Sequence, residues 1–444
     1  MKTVIAFLLA ALPLCGQDAL SLRDAVQRAL QHNPGMHASQ AREKAAEERI
    51  RAARSGYLPK LNYQEMVQRS NNPVFVFGAK LTQRQFTQAD FDIRSLNQPG
   101  FVNNFQSMVT VDQVLFDAGR TKYAISGAKV GEQIQQQRTR SEEIEIMQQV
   151  AQAYVGAKFG EQALRAAQES VRSATADLER AESFRREGMN TDADVLSIRV
   201  HLAAVRQQEI ERQMELDVAL AALNLAMGES EGNTFTLTTP LAETGYEAKP
   251  LAESQQDAMT NRPELAQARS AVEIAKINEK SAKSAYFPEF FVRGVFETDR
   301  QELINRGGAN WFVGGGLRWN LFNGLRDRAQ INESKHNAVA AEAETRKAES
   351  GVRFEVRQAL LRWKAAKEQL SVANASVDQA VESLRITRDR YENGLSTVTD
   401  LLRTETAVLN AKTNFLSALF GQHNAAVALE AARGSLEPGS KLFD

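Results

Sequence analysis

The feature that most restricts how this 444-residue chain folds is that it is written twice. Near the start, Asn33-Pro34 leads a helical stretch that ends at Tyr57-Leu58-Pro59. Later, Arg262-Pro263 leads a similar stretch that ends at Tyr286-Phe287-Pro288. The proline-to-tyrosine spacing is 23 positions in both (34 to 57, 263 to 286), so these landmarks are offset by 229. Further on, Leu115-Phe116-Asp117 with Ala118-Gly119-Arg120 matches Leu321-Phe322-Asn323 with Gly324-Leu325-Arg326, at an offset of 206 (115 to 321). The same 206 carries Glu187-Gly188-Met189 and Asp194-Val195-Leu196 onto Asn393-Gly394-Leu395 and Asp400-Leu401-Leu402. The first copy therefore holds 23 extra residues (229 against 206) between Pro59 and Leu115. Length alone would suggest roughly three compact domains. A repeat of this period points instead to two copies of one elongated unit.

Each copy reads as helix, strand, loop, strand, very long helix, tight turn, helix. No proline lies between Pro99 and Pro240, or between Pro288 and Pro438. The stretch Arg120 to Glu187 is rich in Ala, Glu, Gln and Arg, which are good helix formers. Leu164, Ala167, Val171, Ala174 and Leu178 recur at spacings of three and four. Adding 206 gives Leu370, Ala373, Val377, Ala380 and Leu384. This is a coiled-coil seam with small residues in alternate layers, although an ordinary bundle core accounts for the heptads too. A helix of nearly 70 residues is about 100 Å long, which is wrong for a compact domain.

The expected boundaries follow. The first repeat is 18–228, with a strand hairpin at 58–117, a long outer loop at 70–104, a long helix at 119–187 and a helix at 190–227. A linker occupies 229–249. The second repeat is 250–434, with a hairpin at 287–323, a long helix at 325–392 and a helix at 396–434. Residues 435–444 read as a flexible tail. Ahead of all this, Lys2 and the apolar run Val4 to Leu14 read as a secretory signal peptide over 1–16, too short to span a bilayer. Cleavage after Gly16 leaves Gln17 first; alternatively Cys15, the single cysteine, carries a lipid. Either way the chain is exported.

The strands alternate. Trp311, Val313, Gly315, Leu317, Trp319 and Leu321 share one face against Arg318 and Asn320. Phe290, Val292, Gly294 and Phe296 oppose Arg293 and Glu297. Val109, Val111 and Leu115 oppose Thr110 and Asp112. The first strand, Leu61, Tyr63 and Val67 against Asn62 and Gln64, puts Glu65 on its apolar side. A period of two with aromatics near the ends fits a barrel wall with lipid outside and a polar lumen. A half-buried sheet on helices gives the same period. The export signal and the lack of a second apolar layer favour the barrel. Four strands cannot close one, and open edges in lipid leave backbone groups unpaired. The chain must then share a barrel with copies of itself, and three copies supply twelve strands.

These features together resemble the outer membrane efflux protein family, the TolC-like channels. The residues that carry the resemblance are the Tyr57-Leu58-Pro59 and Tyr286-Phe287-Pro288 entries, the Leu-Phe-Asp/Asn strand ends and the two Gly-x5-Asp-x-Leu turns, over roughly residues 18 to 434. The resemblance implies a mainly α fold with a membrane β-barrel part: a homotrimer whose twelve-stranded barrel continues into a periplasmic α-barrel of long antiparallel helices. It also implies partners: a periplasmic adaptor protein, an inner-membrane transporter and outer-membrane lipid. The function implied is the exit duct of a tripartite efflux or type I secretion system in a Gram-negative-type outer membrane. The first turn (Glu187, Gly188, Met189, Asn190) and the second (Glu392, Asn393, Gly394, Leu395, Ser396) become the adaptor-docking tip, with helix capping as the plainer role. Asp400 falls where the family carries an acidic constriction ring, with Arg403 where a second acid often stands. Asp194 and Tyr391 match partners in the links that hold the tip closed, and Ser396 replaces a family arginine. The phenylalanines of the 70–104 loop pack on the barrel rim or fold inward as a plug, the rim being favoured.

Other function classes find little support. Lys plus Arg is 54 against 55 for Asp plus Glu, so the net charge of -1 argues against a nucleic-acid partner. His32, His37, His201, His336 and His423 are scattered, with no metal-ligand spacing. Gly314-Gly315-Gly316 lies in a strand pattern and opens no helix. The expectation is no enzyme, no cofactor and no metal. The alternative function is an exported periplasmic coiled-coil scaffold without a pore.

Overall fold

The computed structural model describes residues 18–444. The signal peptide expected over 1–16, with Cys15, lies outside the described residues. In chain order the first repeat comprises β1 (Asp18–Leu20), α1 (Leu22–His32), α2 (Pro34–Arg54), β2 (Lys60–Ser70), α3 (Pro73–Thr82), α4 (Ile93–Asn97), β3 (Val102–Phe116), α5 (Arg120–Arg186) and α6 (Asp192–Met227). After β4 (Phe235–Leu237) the second repeat comprises α7 (Leu251–Asn261), α8 (Pro263–Lys283), β5 (Glu289–Arg300), β6 (Gly308–Arg318), α9 (Arg326–Glu392) and α10 (Val398–Ala432). Each repeat opens with two helices rather than one. The break falls at Asn33-Pro34 and Arg262-Pro263, because proline pushes the preceding residue out of the helical region and its ring suits a new first turn. The strand-to-helix turns repeat as well. Ala118-Gly119 and Gly324-Leu325 both pass through two consecutive left-handed residues, φ 55°, 84° and 69°, 66°.

The chain forms two compact units. One, built from Arg42–Gln136 and Gln267–Thr345, holds a four-stranded antiparallel sheet in the order β2-β3-β5-β6. Register decides its faces, since directly opposed residues point the same way. Leu61, Val111, Gly294 and Val313 align across the sheet, as do Tyr63, Val109, Phe296 and Trp311. This apolar face is uncovered: Leu61, Tyr63, Trp311 and Val313 are 71, 67, 74 and 68% exposed. On the opposite face Lys60, Asp112 and Arg293 align, then Gln64, Met108, Glu297 and Asn310. Arg293 donates to Asp112 at 2.5 Å, and Glu289 lies 3.4 Å from Arg120 and 3.6 Å from Arg318. Glu65 does lie on the apolar face, but not alone. Tyr63 donates to it at 2.6 Å, Arg300 pairs with it at 3.0 Å, and Ser107 closes the group. A carboxylate on such a face is tolerable when it is neutralised and hydrogen-bonded within the sheet.

The other unit, built from residues 18–41, Gln137–Ala266 and Arg346–Asp444, is helical. Met147, Val150, Ala151, Tyr154 and Ala157 on α5 recur at helical spacing. They bury against Leu223 and Met227 of α6, Val356 and Leu360 of α9, and Leu419 and Leu429 of α10. The expected linker contains β4, which pairs in parallel with β1. The Tyr154 hydroxyl donates to Leu20 O at 2.8 Å and accepts from Thr239 N at 2.9 Å, fixing this two-stranded ladder to α5. Residues 435–444 are not a flexible tail. Leu436 and Phe443 are fully buried and Arg23 pairs with Asp444 at 2.5 Å, because the segment has its own apolar anchors in the helical core.

Candidate functional site

The two helix-to-helix turns are built alike. Gly188 and Gly394 take left-handed φ of 78° and 70°, a region that glycine enters at little steric cost. Gly188 N donates to Arg185 O and Met189 N to Phe184 O. In the second turn Gly394 N donates to Tyr391 O and Leu395 N to Arg390 O. This double bond pattern satisfies the last carbonyls of each long helix. The next helices start from capping boxes. Thr191 and Thr397 accept from the backbone of Asp194 and Asp400, whose carboxylates accept in return from the threonine N–H and hydroxyl. The caps fall one residue after Asn190 and Ser396.

Apart from Cys15, the sequence-derived site residues all lie at this paired turn. Glu187, Gly188, Met189, Glu392, Asn393, Gly394 and Leu395 are exposed, and Asn190 and Ser396 are half-buried. Met189 and Leu395, which correspond across the repeat, are large apolar side chains 61 and 68% exposed. Tyr391 is buried with Ala181, Val195, Ile198, Val398 and Leu401, so the two hairpins share one small core. Its hydroxyl accepts from Asn190 at 2.9 Å, within the protomer. Burial, with Asp194 and Asp177 nearby, raises its pKa above the ordinary tyrosine value. Asp194 is engaged in its cap. Asp400 is engaged likewise, with Ser396 at 3.4 Å, and its carboxyl is lowered by the Thr397 hydrogen bonds, Arg403 adding only a weak charge effect. Arg403 is exposed.

A family model for outer membrane efflux proteins matches residues 25–229 and 255–435, one block for each repeat. The chain belongs to the outer membrane efflux protein family. The efflux protein BepC of Brucella suis is 23% identical over 95% of this chain and 88% of its own length. The alkaline protease secretion protein AprF of Pseudomonas aeruginosa is 23% identical over 98% of this chain and 90% of its own. The Campylobacter jejuni CmeC outer membrane channel shares the fold, with a TM-score of 0.78 at 16% identity over 100% of this chain and 95% of that one. Membership places the chain in the outer membrane and among ducts rather than pore-less scaffolds.

In this outer membrane efflux protein, sequence reasoning missed a buried polar group near the turns. Arg388 of α9 donates to Glu405 of α10 at 2.7 Å and to Ser173 of α5 at 2.8 Å, and reaches Asp177 of α5 at 3.3 Å. His201 of α6 lies 3.5 Å from Glu405, and Arg180 lies 3.4 Å from Asp177. The Asp177 and Glu405 side chains are only 2 and 5% exposed. Burial, reinforced by the neighbouring Glu405, pushes the Asp177 carboxyl up to about 7. Burial works against ionised Glu405 too. Hydrogen bonds involving His201, Asp177 and Ser173 and the Arg388 charge outweigh it and hold that carboxyl low. Arg388 thus serves both acids, Arg180 adds a longer contact to Asp177, and Asp177 holds its proton to higher pH than an ordinary aspartate. All four long helices contribute to the group, which ties the two hairpins together. The available signal was the repeat itself: Arg388 and Glu405 correspond at offset 206 to Glu182 and Arg199, a pair with its charges exchanged.

Proposed function

We propose that the chain is the outer-membrane exit duct of a tripartite efflux or type I secretion system, assembled as a trimer. The observation that carries this is the sheet: one exposed apolar face, one polar face, and edge strands β2 and β6 that have no outer neighbour among the described residues. An apolar patch of this size needs a partner, and lipid is the partner that a sheet with a polar reverse suits. Unpaired edges are satisfied when β6 of one copy pairs with β2 of the next. The helices support the same assembly. Leu196, Val200, Ile210, Met214, Val218 and Leu225 form an exposed apolar stripe along α6, and Phe354, Leu361 and Val372 a second along α9. Such seams close against further helices.

The adaptor docks on the turns through Met189 and Leu395, in the helix-in-groove mode by which exposed apolar anchors are read. The Asp400 ring and the Tyr391 and Asp194 region govern passage at that tip. Relatives named for efflux and for protease secretion both match along most of the chain, so the duct reading spans both cargo classes. The test is heat-modifiable mobility of membrane fractions followed by conductance in planar bilayers. A trimer that forms channels is expected; a soluble periplasmic monomer overturns the reading. Replacing both Met189 and Leu395 by Asp is expected to abolish export while leaving the trimer and its channel intact.

A further inference from the structure

The extra segment of the first repeat is not a bare loop. Asn72 caps α3 by accepting from Val74 N and Phe75 N, and Lys80 pairs with Asp90 at 2.6 Å, so residues 73–100 form a small folded insert. Its position on the sheet is set by three contacts. Val76 and Ala79 bury against Val102. Gln83 donates to Asn104 at 2.8 Å, and Asn104 to Asp299 at 2.6 Å. A Cβ on Gly308 would lie 1.7 Å from Thr82 O.

Val102 and Asn104 alternate with Gln106, and Gln106, Asp299 and Gly308 oppose one another. All five belong to the polar face. The insert therefore sits on the side of the sheet opposite the exposed apolar face, at the end where β2 gives way to β3.

The helix α3 is apolar on its second side as well. Val74, Phe77 and Leu81 are spaced three and four apart and are 82, 38 and 48% exposed. A helix that is apolar all round is normally buried. Within a closed barrel the polar face is the lumen, so this second side faces the axis. The insert follows β2, the very strand through which neighbouring copies would join. What lies across the axis is then the same side of the other copies.

We propose that the 73–100 inserts fold into the outer mouth of the barrel, and that Val74, Phe77 and Leu81 of the copies meet there as an apolar constriction that limits the size and hydration of what leaves the duct. The proposal rests on the duct reading above. Apolar constrictions of this kind control passage by excluding water.

Two experiments test it on the full-length chain in outer-membrane fractions. Val74→Cys, oxidised with copper phenanthroline, should give a protomer–protomer cross-link that the unsubstituted chain lacks. Asn62→Cys, on the polar face deeper in the barrel, should be labelled from outside whole cells by a small charged maleimide but not by one on a bulky polyethylene glycol. Replacing residues 73–100 by a short Gly-Ser linker should allow both. Absence of the cross-link in verified trimers, or labelling of Asn62→Cys by the bulky reagent with the insert in place, overturns the constriction and leaves the duct standing. Absence of trimers overturns the duct itself.

Discussion

Two repeat-related sites show how one backbone can hold opposite chemistry. Glu182 and Arg199 face each other from α5 and α6 at 2.7 Å, with 41 and 55% of their side chains exposed. Their counterparts at offset 206, Arg388 and Glu405, also sit 2.7 Å apart on α9 and α10, with signs exchanged and Glu405 buried. The geometry is equal and the surroundings are not. Water screens the first pair, while the second shares its cation with Asp177 and packs beside His201. Burial, not distance, decides what an ion pair is worth.

The comparison can be broken hardest at Arg388. Arg388→Met leaves two acids buried without the cation they share. It should destabilise the turn region by about 3–5 kcal/mol, read as lost amide-exchange protection in α9 and α10 near the turn. The next largest effect is on pH. Asp177 is raised in the folded state, so its contribution is full below its ordinary range near 3.8 and is lost as pH rises through about 7. Glu405 is lowered, so its contribution is present above its ordinary range near 4.5 and is lost as pH falls toward its folded value. The turn should therefore be tightest where those two ordinary ranges meet, between 3.8 and 4.5, and loosen steadily toward neutrality. In Asp177→Asn, which keeps the shape of the protonated acid, the loosening should vanish; unchanged pH dependence of exchange would refute the assignment. A third test exchanges charges within each pair. Glu182→Arg with Arg199→Glu should be tolerated. Arg388→Glu with Glu405→Arg should not, because it puts a carboxylate where the Arg388 cation now meets Asp177. The smallest effect is Arg199→Ala, expected to cost about 0.2–1 kcal/mol in the same exchange experiment. A larger cost would show that the exposed pair is not the screened one described here.

The parts of the fold that alternate or recur over many residues were legible: the repeat, the heptads of Leu164 to Leu178 and the period-two faces of β5 and β6. Burial of that seam was not. Leu164, Ala167 and Ala174 are buried, whereas Ala373, Val377 and Ala380 are only half-covered in a single chain. Identical heptads cannot say which helix has neighbours on both sides. The three-residue strands β1 and β4 carry no period at all, and the tail is held by a few scattered anchors, among them Leu436, Phe443 and the Arg23–Asp444 pair. Asn72-Pro73 falls inside the expected 70–104 loop but begins α3, where asparagine caps and proline takes the first helical position. The Arg388 group looked like ordinary helix-surface polarity, since sequence shows charge but not which side of a helix is covered.

The pairing of β3 with β5 joins the hairpin of one repeat to that of the other inside a single chain. In a twelve-stranded closure, every second junction between hairpins is therefore already made before any two chains meet. A chain with one repeat would have to gather six bodies in the membrane instead of three. Each encounter removed spares a loss of translational and rotational freedom of roughly 4–15 kcal/mol. Duplication thus acts here as a reduction in the molecularity of assembly.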